Sequence, residues 1–392
     1  MPGRPLVRPR RAVVKQPAVL RRLSAVPRSD LHDRRLAALV GSALGVAFAL
    51  CFATGLLSHL IQEPPGWFDW VSRPAGLYRI TQGLHVVTGF VSIPLLLAKL
   101  WIVVPKLIEW PPARSVAQAF ERLSLLPLVG GGLFLVVSGT FNVARTYPWQ
   151  FLFPAAHYWV AWLTIGALIV HLGAKWAVIR SSLGSPDGGR ADVLEPRRRQ
   201  FLAGVGATAA TVFVAVAGST VGPLSRLSVL AQRRPGVGPQ GLPVNKSAVG
   251  ARVVDAATST DYRLVVEGKV AHRLELTLSE LAKLPQRTAE LPLACVEGWS
   301  TSAVWTGVPL RDLLDMAGAA PDAEVRVESL QPRGSYRVAD VSATHANDRD
   351  TLLALRLNDE ELHLDHGYPV RLIGPNRPGV LQTKWVARLV VT

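Results

Sequence analysis

Pro292-Leu293-Ala294-Cys295-Val296-Glu297-Gly298-Trp299-Ser300 holds one of the chain's 2 cysteines. The other, Cys51, lies inside an apolar run. A thiol without a disulfide partner stays intact when a metal holds it as thiolate, because coordination keeps the sulfur deprotonated and out of exchange. The alternative is a small buried hydrophobe, the usual state of a free cysteine. Two cysteines exclude a disulfide scaffold, and they exclude a zinc or iron–sulfur centre ligated by cysteine alone.

Outward from this stretch, 392 residues suggest two or three structural units. Mean hydropathy is +0.25 although the formal net charge is +15, so apolar and basic residues must be segregated along the chain. The apolar part precedes about residue 222, and a mixed, charged composition follows. Positive charge clusters beside apolar runs, the pattern of membrane orientation. The C-terminal half has no Lys/Arg stripe interleaved with aromatics, so nucleic acid is excluded as a partner.

Five segments are long and apolar enough to cross a bilayer core, which takes about 20 helical residues. They are Leu36–Ile61, Leu77–Val104, Leu123–Val143, Ala156–Ile179 and Phe201–Val221. Ten Lys/Arg residues, among them Arg4, Arg22, Arg34 and Arg35, precede the first, and Lys175, Arg180, Arg190 and Arg197–Arg199 flank the fourth and fifth. The loop Gln62–Gly76 carries Glu63 and Asp69 against Arg73 alone. This asymmetry places the N-terminus in the cytoplasm and, after five crossings, everything beyond Val221 outside. The expectation is therefore a multi-pass protein of the cytoplasmic membrane with an extracytoplasmic C-terminal domain. Arg198-Arg199-Gln200-Phe201-Leu202 resembles a twin-arginine export signal, which would make that export machinery a partner; the other reading is a plain positive-inside cluster.

Gly222–Gly250, rich in Pro and Gly, reads as a linker. Beyond it, Tyr262–Gly268, Glu324–Ser329, Tyr368–Ile373 and Trp385–Val391 have strand patterns, while Leu278–Leu284 and Leu310–Ala317 read as short helices. The fold class is multi-domain, an all-α five-helix transmembrane bundle followed by an α+β domain. The expected boundaries are a basic segment at 1–35, a four-helix domain at 36–181, a loop with the fifth helix at 182–222, a linker at 223–250 and a catalytic domain at 251–392.

Two groups of residues in the last segment carry a family resemblance. One is Cys295-Val296-Glu297-Gly298-Trp299-Ser300 with Trp305-Thr306-Gly307-Val308-Pro309-Leu310, and the other is His366-Gly367-Tyr368-Pro369-Val370-Arg371-Leu372 with Lys384-Trp385. Over nearly all of Leu242–Thr392 the chain resembles the molybdopterin-binding domain of the sulfite oxidase superfamily. The resemblance implies a Mo-molybdopterin cofactor, with Cys295 as molybdenum ligand and catalytic centre and with His366, Arg371 and Lys384 holding the pterin. Asn245, in Pro243–Ala248, falls where the family places another cofactor contact. The chemistry agrees: the metal takes a soft thiolate, and the cofactor's phosphate needs Arg or Lys.

The chain also departs from that family. Sulfite oxidases carry an arginine-containing C-x-x-N-R stretch at the metal cysteine, where this chain has Val296-Glu297-Gly298-Trp299. The C-V-E-x-W-S form is closer to the periplasmic methionine-sulfoxide reductase catalytic subunit. Two-electron oxygen-atom transfer at molybdenum, with reduction of an S-oxide, is thus the preferred expectation, with sulfite-type oxidation, or a tethered binding or sensory protein without redox activity, as alternatives. A free Glu297 facing the metal would repel anions; pairing with Arg377 is the other reading.

The spans contain His59, His85, His157 and His171, and intramembrane histidines point to function by default. His157 and His171 lie fourteen residues apart on one helix, a spacing that resembles the bis-haem helix of membrane cytochromes b. Haem b between His85 and His157, passing electrons to or from the quinone pool or a membrane electron-transfer partner, is one expectation. Packing histidines in a bundle that only anchors the domain is the other.

Overall fold

The computed structural model describes residues 29, 31–109, 115–151, 153–184, 196–230, 233 and 235–392. Most of the basic segment before the first span, and the loop at 185–195 with Arg190, lie outside the described residues. Among the described residues, five helices are long and apolar enough to cross a membrane: α1 (Arg34–Gln62), α2 (Leu77–Leu107), α3 (Val116–Ala144), α4 (Phe153–Gly184) and α5 (Pro196–Ala217). Much of their apolar surface faces outward, including Trp101, Trp159, Leu163 and Trp176, as expected where lipid is the solvent.

The fifth helix ends four residues earlier than its hydropathy predicts. At Gly218 a Cβ would stand 2.2 Å from the Leu224 carbonyl oxygen, and the Gly218 amide donates to Ser228 Oγ at 2.6 Å. That close return of the chain is what stops α5. The segment after it is stitched into the structure. Ser228 is fully buried, Gln240 Nε2 donates to the carbonyls of Leu357 and Glu361, and His366 Nε2 lies 2.8 Å from the Pro239 carbonyl oxygen.

The C-terminal domain contains ten strands in two five-stranded sheets. The first sheet has the order β2 (Leu274–Leu276), β1 (Leu264–Gly268), β10 (Val386–Val391), β5 (Val325–Ser329), β6 (Val338–Val341). Its β1–β10 pair is parallel and the others are antiparallel. The second sheet has the order β3 (Arg287–Ala294), β4 (Ser300–Pro309), β7 (Leu352–Leu357), β8 (Glu360–Glu361), with β9 (Arg371–Ile373) also paired to β7. Among its short helices, two pack against the sheets. α6 (Leu278–Lys283) opens with a capping box between Thr277 and Glu280. α7 (Leu310–Ala317) buries Leu310, Leu313, Leu314 and Ala317, a helical i, i+3, i+4, i+7 stripe, and ends where Gly318 adopts the left-handed conformation.

The described residues divide into two compact units. One comprises the described residues within 1–46, 92–135 and 155–209. The other comprises 47–91, 136–154 and 210–392, so the C-terminal domain shares a unit with the ends of α1, α2, α3 and α5 and the loop between α1 and α2. In that unit Asn376 Nδ2 donates to the Val71 carbonyl at 2.7 Å, Trp70 Nε1 donates to the Asn376 carbonyl, and Arg73 forms a fork on Asp348.

Candidate active site

β3 and β4 form an antiparallel hairpin with Ala294 opposite Ser300, so Cys295–Trp299 is its connecting loop. The loop closes through the Cys295 amide to the Trp299 carbonyl (2.8 Å) and the Gly298 amide to the Cys295 carbonyl (3.1 Å). Gly298 has φ +90°, and a Cβ there would meet Val86 at 3.1 Å, so both backbone and space require glycine. Cys295, 2% exposed, packs with Trp299 among Leu291, Leu293 and Trp305.

Cys295 borders a small pocket, open to solvent, that Asn245, Trp299, Arg371, Gly379 and Lys384 also line. Arg371 is 2% exposed. Its guanidinium lies over the Trp305 ring at 5.1 Å and donates to the His366 carbonyl, but its Nε finds no acceptor. Burial pushes Arg371 down to about 10. Lys384 Nζ donates to the carbonyls of Lys246 (3.0 Å) and Asp365 (2.8 Å) and lies 5.3 Å from the Trp385 ring. Burial, with Arg371 nearby, holds it well below the usual lysine range.

His366 stands behind this pair. Burial, then Arg371, lowers it to about 4, so near neutral pH the imidazole is uncharged and Nε2–H donates to Pro239. Gly367, at φ +115°, leaves the space that Arg371 and Lys384 fill, since a Cβ would lie 3.1 Å from the first and 3.2 Å from the second. The structure thus gathers Cys295, Asn245, Arg371 and Lys384 around one cavity, with His366 supporting its cationic wall.

The residues suit a molybdenum cofactor. Burial raises the Cys295 thiol to about 12, while Arg233, Lys384, Arg145 and Arg371 pull it the other way. A soft metal would replace the thiol proton at that sulfur. A buried guanidinium and a half-buried ammonium, Arg371 and Lys384, without a salt-bridge partner among the described residues, and a guanidinium nitrogen without an acceptor, call for an anionic ligand.

Glu297 is not free, and Arg377 is not its partner. Its carboxylate pairs with Arg145 (3.2 Å) and with Arg233, whereas Arg377 donates to the carbonyls of Asp340 and Leu381. The sequence reading missed Arg145 and Arg233 because both are remote in sequence and belong to no local motif. Of the haem candidates, His85 packs against α1. Its Nδ1 lies 2.8 Å from the Cys51 carbonyl oxygen, and Gly55 leaves room for the ring, which a Cβ would meet at 2.7 Å. His157 lies in the first turns of α4, in the other unit.

The fold and this site define the class: the C-terminal domain is a molybdopterin-binding oxidoreductase domain of the sulfite-oxidase type, and the family described as the oxidoreductase molybdopterin binding domain matches residues 251–392. The chain is 33% identical over 141 residues to "Putative protein-methionine-sulfoxide reductase subunit YedZ1" of Azospira oryzae, covering 36% of this chain and 52% of that protein. It is 32% identical over 156 residues to the mitochondrial sulfite oxidase of Drosophila melanogaster, covering 33% of this chain and 27% of that protein. Among solved structures, the sulfane dehydrogenase SoxCD of Paracoccus pantotrophus matches with 29% identity and TM-score 0.31, over 34% of this chain and 38% of that one. The chain therefore spans from about a quarter to about half of the length of these two curated relatives.

Proposed function

We propose that the chain is a membrane-anchored molybdenum oxidoreductase that reduces an S-oxide of the methionine-sulfoxide type outside the cytoplasm. The pocket at Cys295, lined by Arg371 and Lys384, carries this reading. When bound, the molybdenum cofactor supplies two-electron oxygen-atom transfer: an S-oxide, two electrons and two protons give a thioether and water. Cys295 would ligate the metal, and Arg371 and Lys384 would neutralise the cofactor's anionic groups. His366 and Asn245 would complete its seat.

The S-oxide preference rests on two observations. The loop that carries Cys295 lacks its own arginine, and Glu297 takes up the Arg145 and Arg233 guanidiniums, an arrangement suited to an uncharged polar oxide better than to an oxyanion. The resemblance to the Azospira protein points the same way.

The orientation proposed is N-terminus in the cytoplasm. The C-terminal domain bonds to the loop between α1 and α2, while Arg34, Arg35, Lys106, Arg122 and Arg197–Arg199 crowd the opposite helix ends. Quinol is the proposed reductant, with haem b on intramembrane histidines as carrier, and the twin-arginine machinery as the proposed exporter. Metal analysis and optical spectra of the detergent-purified chain test these assignments. About one molybdenum per chain, with quinol-dependent reduction of methionine sulfoxide, is expected. A chain without molybdenum, made in a cofactor-producing host, would sink the enzyme reading, and absence of a reducible Soret band would remove the haem.

A further inference from the structure

The side chains of Cys295 and Trp299 pack into their own domain, but the three residues between them are held from the membrane helices. Gln82 Nε2, on α2, donates to the Val296 carbonyl at 3.3 Å. Arg145, one residue past α3, holds the Glu297 carboxylate at 3.2 Å. Gly298 sits against Val86 of α2 and Val143 of α3, so closely that a Cβ would meet them at 3.1 and 3.5 Å. Ser219, two residues past α5, donates through Oγ to the Gly298 carbonyl (2.7 Å) and accepts the Ser300 amide on its own carbonyl (2.9 Å). Three helices thus grip three successive residues of the loop that carries Cys295.

These contacts add to the loop's two internal backbone bonds, from the Cys295 amide to the Trp299 carbonyl and from the Gly298 amide to the Cys295 carbonyl. The direction of the Cys295 Cβ–Sγ bond follows the loop backbone, and with it the geometry of a metal bound there. We infer that Gln82, Arg145 and Ser219 are positioning residues for the Cys295 thiolate, so that the membrane helices shape the metal site as well as anchor the domain. This rests on the assignment of Cys295 as metal ligand. It gives the outer ends of α2, α3 and α5 a function that an anchor would not need.

The test uses the full molybdenum-loaded chain in detergent, with Arg145→Gln, Ser219→Ala, the conservative Arg145→Lys and, as reference, Cys295→Ser. Metal content, the electron paramagnetic resonance spectrum of the partly reduced protein, and separate kcat and KM for methionine sulfoxide are read. Arg145→Gln and Ser219→Ala are expected to keep molybdenum within about twofold of the parent, to shift the resonance, and to lower kcat by roughly tenfold or more, because displacements near 1 Å at a reacting centre cost this much. Arg145→Lys should restore the parental spectrum. Parental spectra and kcat in both Arg145→Gln and Ser219→Ala would overturn the inference. So would loss of molybdenum with an unchanged spectrum in the remaining fraction, which is a folding effect. If Cys295→Ser keeps the parental spectrum, the ligand assignment itself fails, and the two failures are told apart.

Discussion

Replacing Asn376 tests how the loop between α1 and α2 is fastened to the catalytic domain. Asn376 is 1% exposed and has φ +55°. Its Nδ2 donates to the Val71 carbonyl at 2.7 Å and its Oδ1 accepts the Tyr78 amide at 2.6 Å. Its own amide donates to the Ala75 carbonyl, and its carbonyl accepts Trp70 Nε1. Asn376→Ala deletes the two side-chain bonds and leaves the two backbone bonds. Each stranded buried partner costs about 1–3 kcal/mol, and an alanine in the left-handed region adds about 1–2 kcal/mol. The sum is roughly 3–8 kcal/mol, with the lower end applying if water reaches the Val71 carbonyl. Asn376→Gly loses the same bonds without the conformational penalty, and should be about 1 kcal/mol milder. Hydrogen exchange at the residue-376 amide reads this directly, since its bond to Ala75 survives both substitutions. At the low end, Asn376→Ala should reduce protection by roughly 100-fold or more, and Asn376→Gly by several-fold less. Protection in Asn376→Ala within about twofold of the parent, or a glycine variant worse than the alanine one, would refute the reasoning.

Lys384→Met relieves the desolvation of a half-buried cation but strands the Lys246 and Asp365 carbonyls, so the cofactor-free chain should lose about 1–3 kcal/mol, while molybdenum occupancy at limiting cofactor falls by roughly 10- to 100-fold through loss of a charge-assisted contact. Thermal unfolding of the apoprotein and metal analysis of the loaded protein check both halves, and parental occupancy would refute the role given to Lys384. His345 is 3% exposed, and burial, then Arg377, lowers its imidazole to about 4. The unfolded chain therefore takes up this proton first as pH falls, and stability drops from about pH 6.5 to about 4, by at most about 3 kcal/mol from this site. His345→Gln should flatten that part of the unfolding profile, and an unchanged slope would show that other groups set it.

Much of this was legible in the sequence for identifiable reasons. The spans declare themselves because lipid demands unbroken apolar runs, and α7 does so because Leu310, Leu313, Leu314 and Ala317 repeat at helical spacing. Cys295, His366, Arg371 and Lys384 stand in short motifs whose chemistry is local. The β3–β4 hairpin escaped notice because the exposed start of β3, Arg287-Thr288 with Glu290, has no clean alternation. Val338–Val341 and Leu352–Leu357 were also unmarked, being strands made by their neighbours more than by their own pattern. The early end of α5 depends on the contact between Gly218 and Leu224, and the partners of Glu297 on residues from two distant segments. Tertiary contacts of that kind leave no local trace.

The Glu297 cluster also bears on how a departure from the sulfite-oxidase pattern fits the fold. A carboxylate two residues from a metal thiolate would oppose negative charge at the site if it stood alone. Here Arg145 and Arg233 arrive from outside the domain's sheets, so the three side chains together carry one net positive charge. Burial, then Arg145 as a like-charged neighbour, lowers Arg233, and both guanidiniums share the Glu297 carboxylate. Glu297→Gln would leave those two cations facing each other across a neutral amide. The expected result is a weaker grip on the Val296–Gly298 segment, together with a gain in affinity for anionic inhibitors such as sulfate. Inhibition constants measured against an uncharged S-oxide substrate check this: unchanged inhibition by sulfate would mean that the cluster serves the loop alone and has no influence on the charge of what enters the cavity.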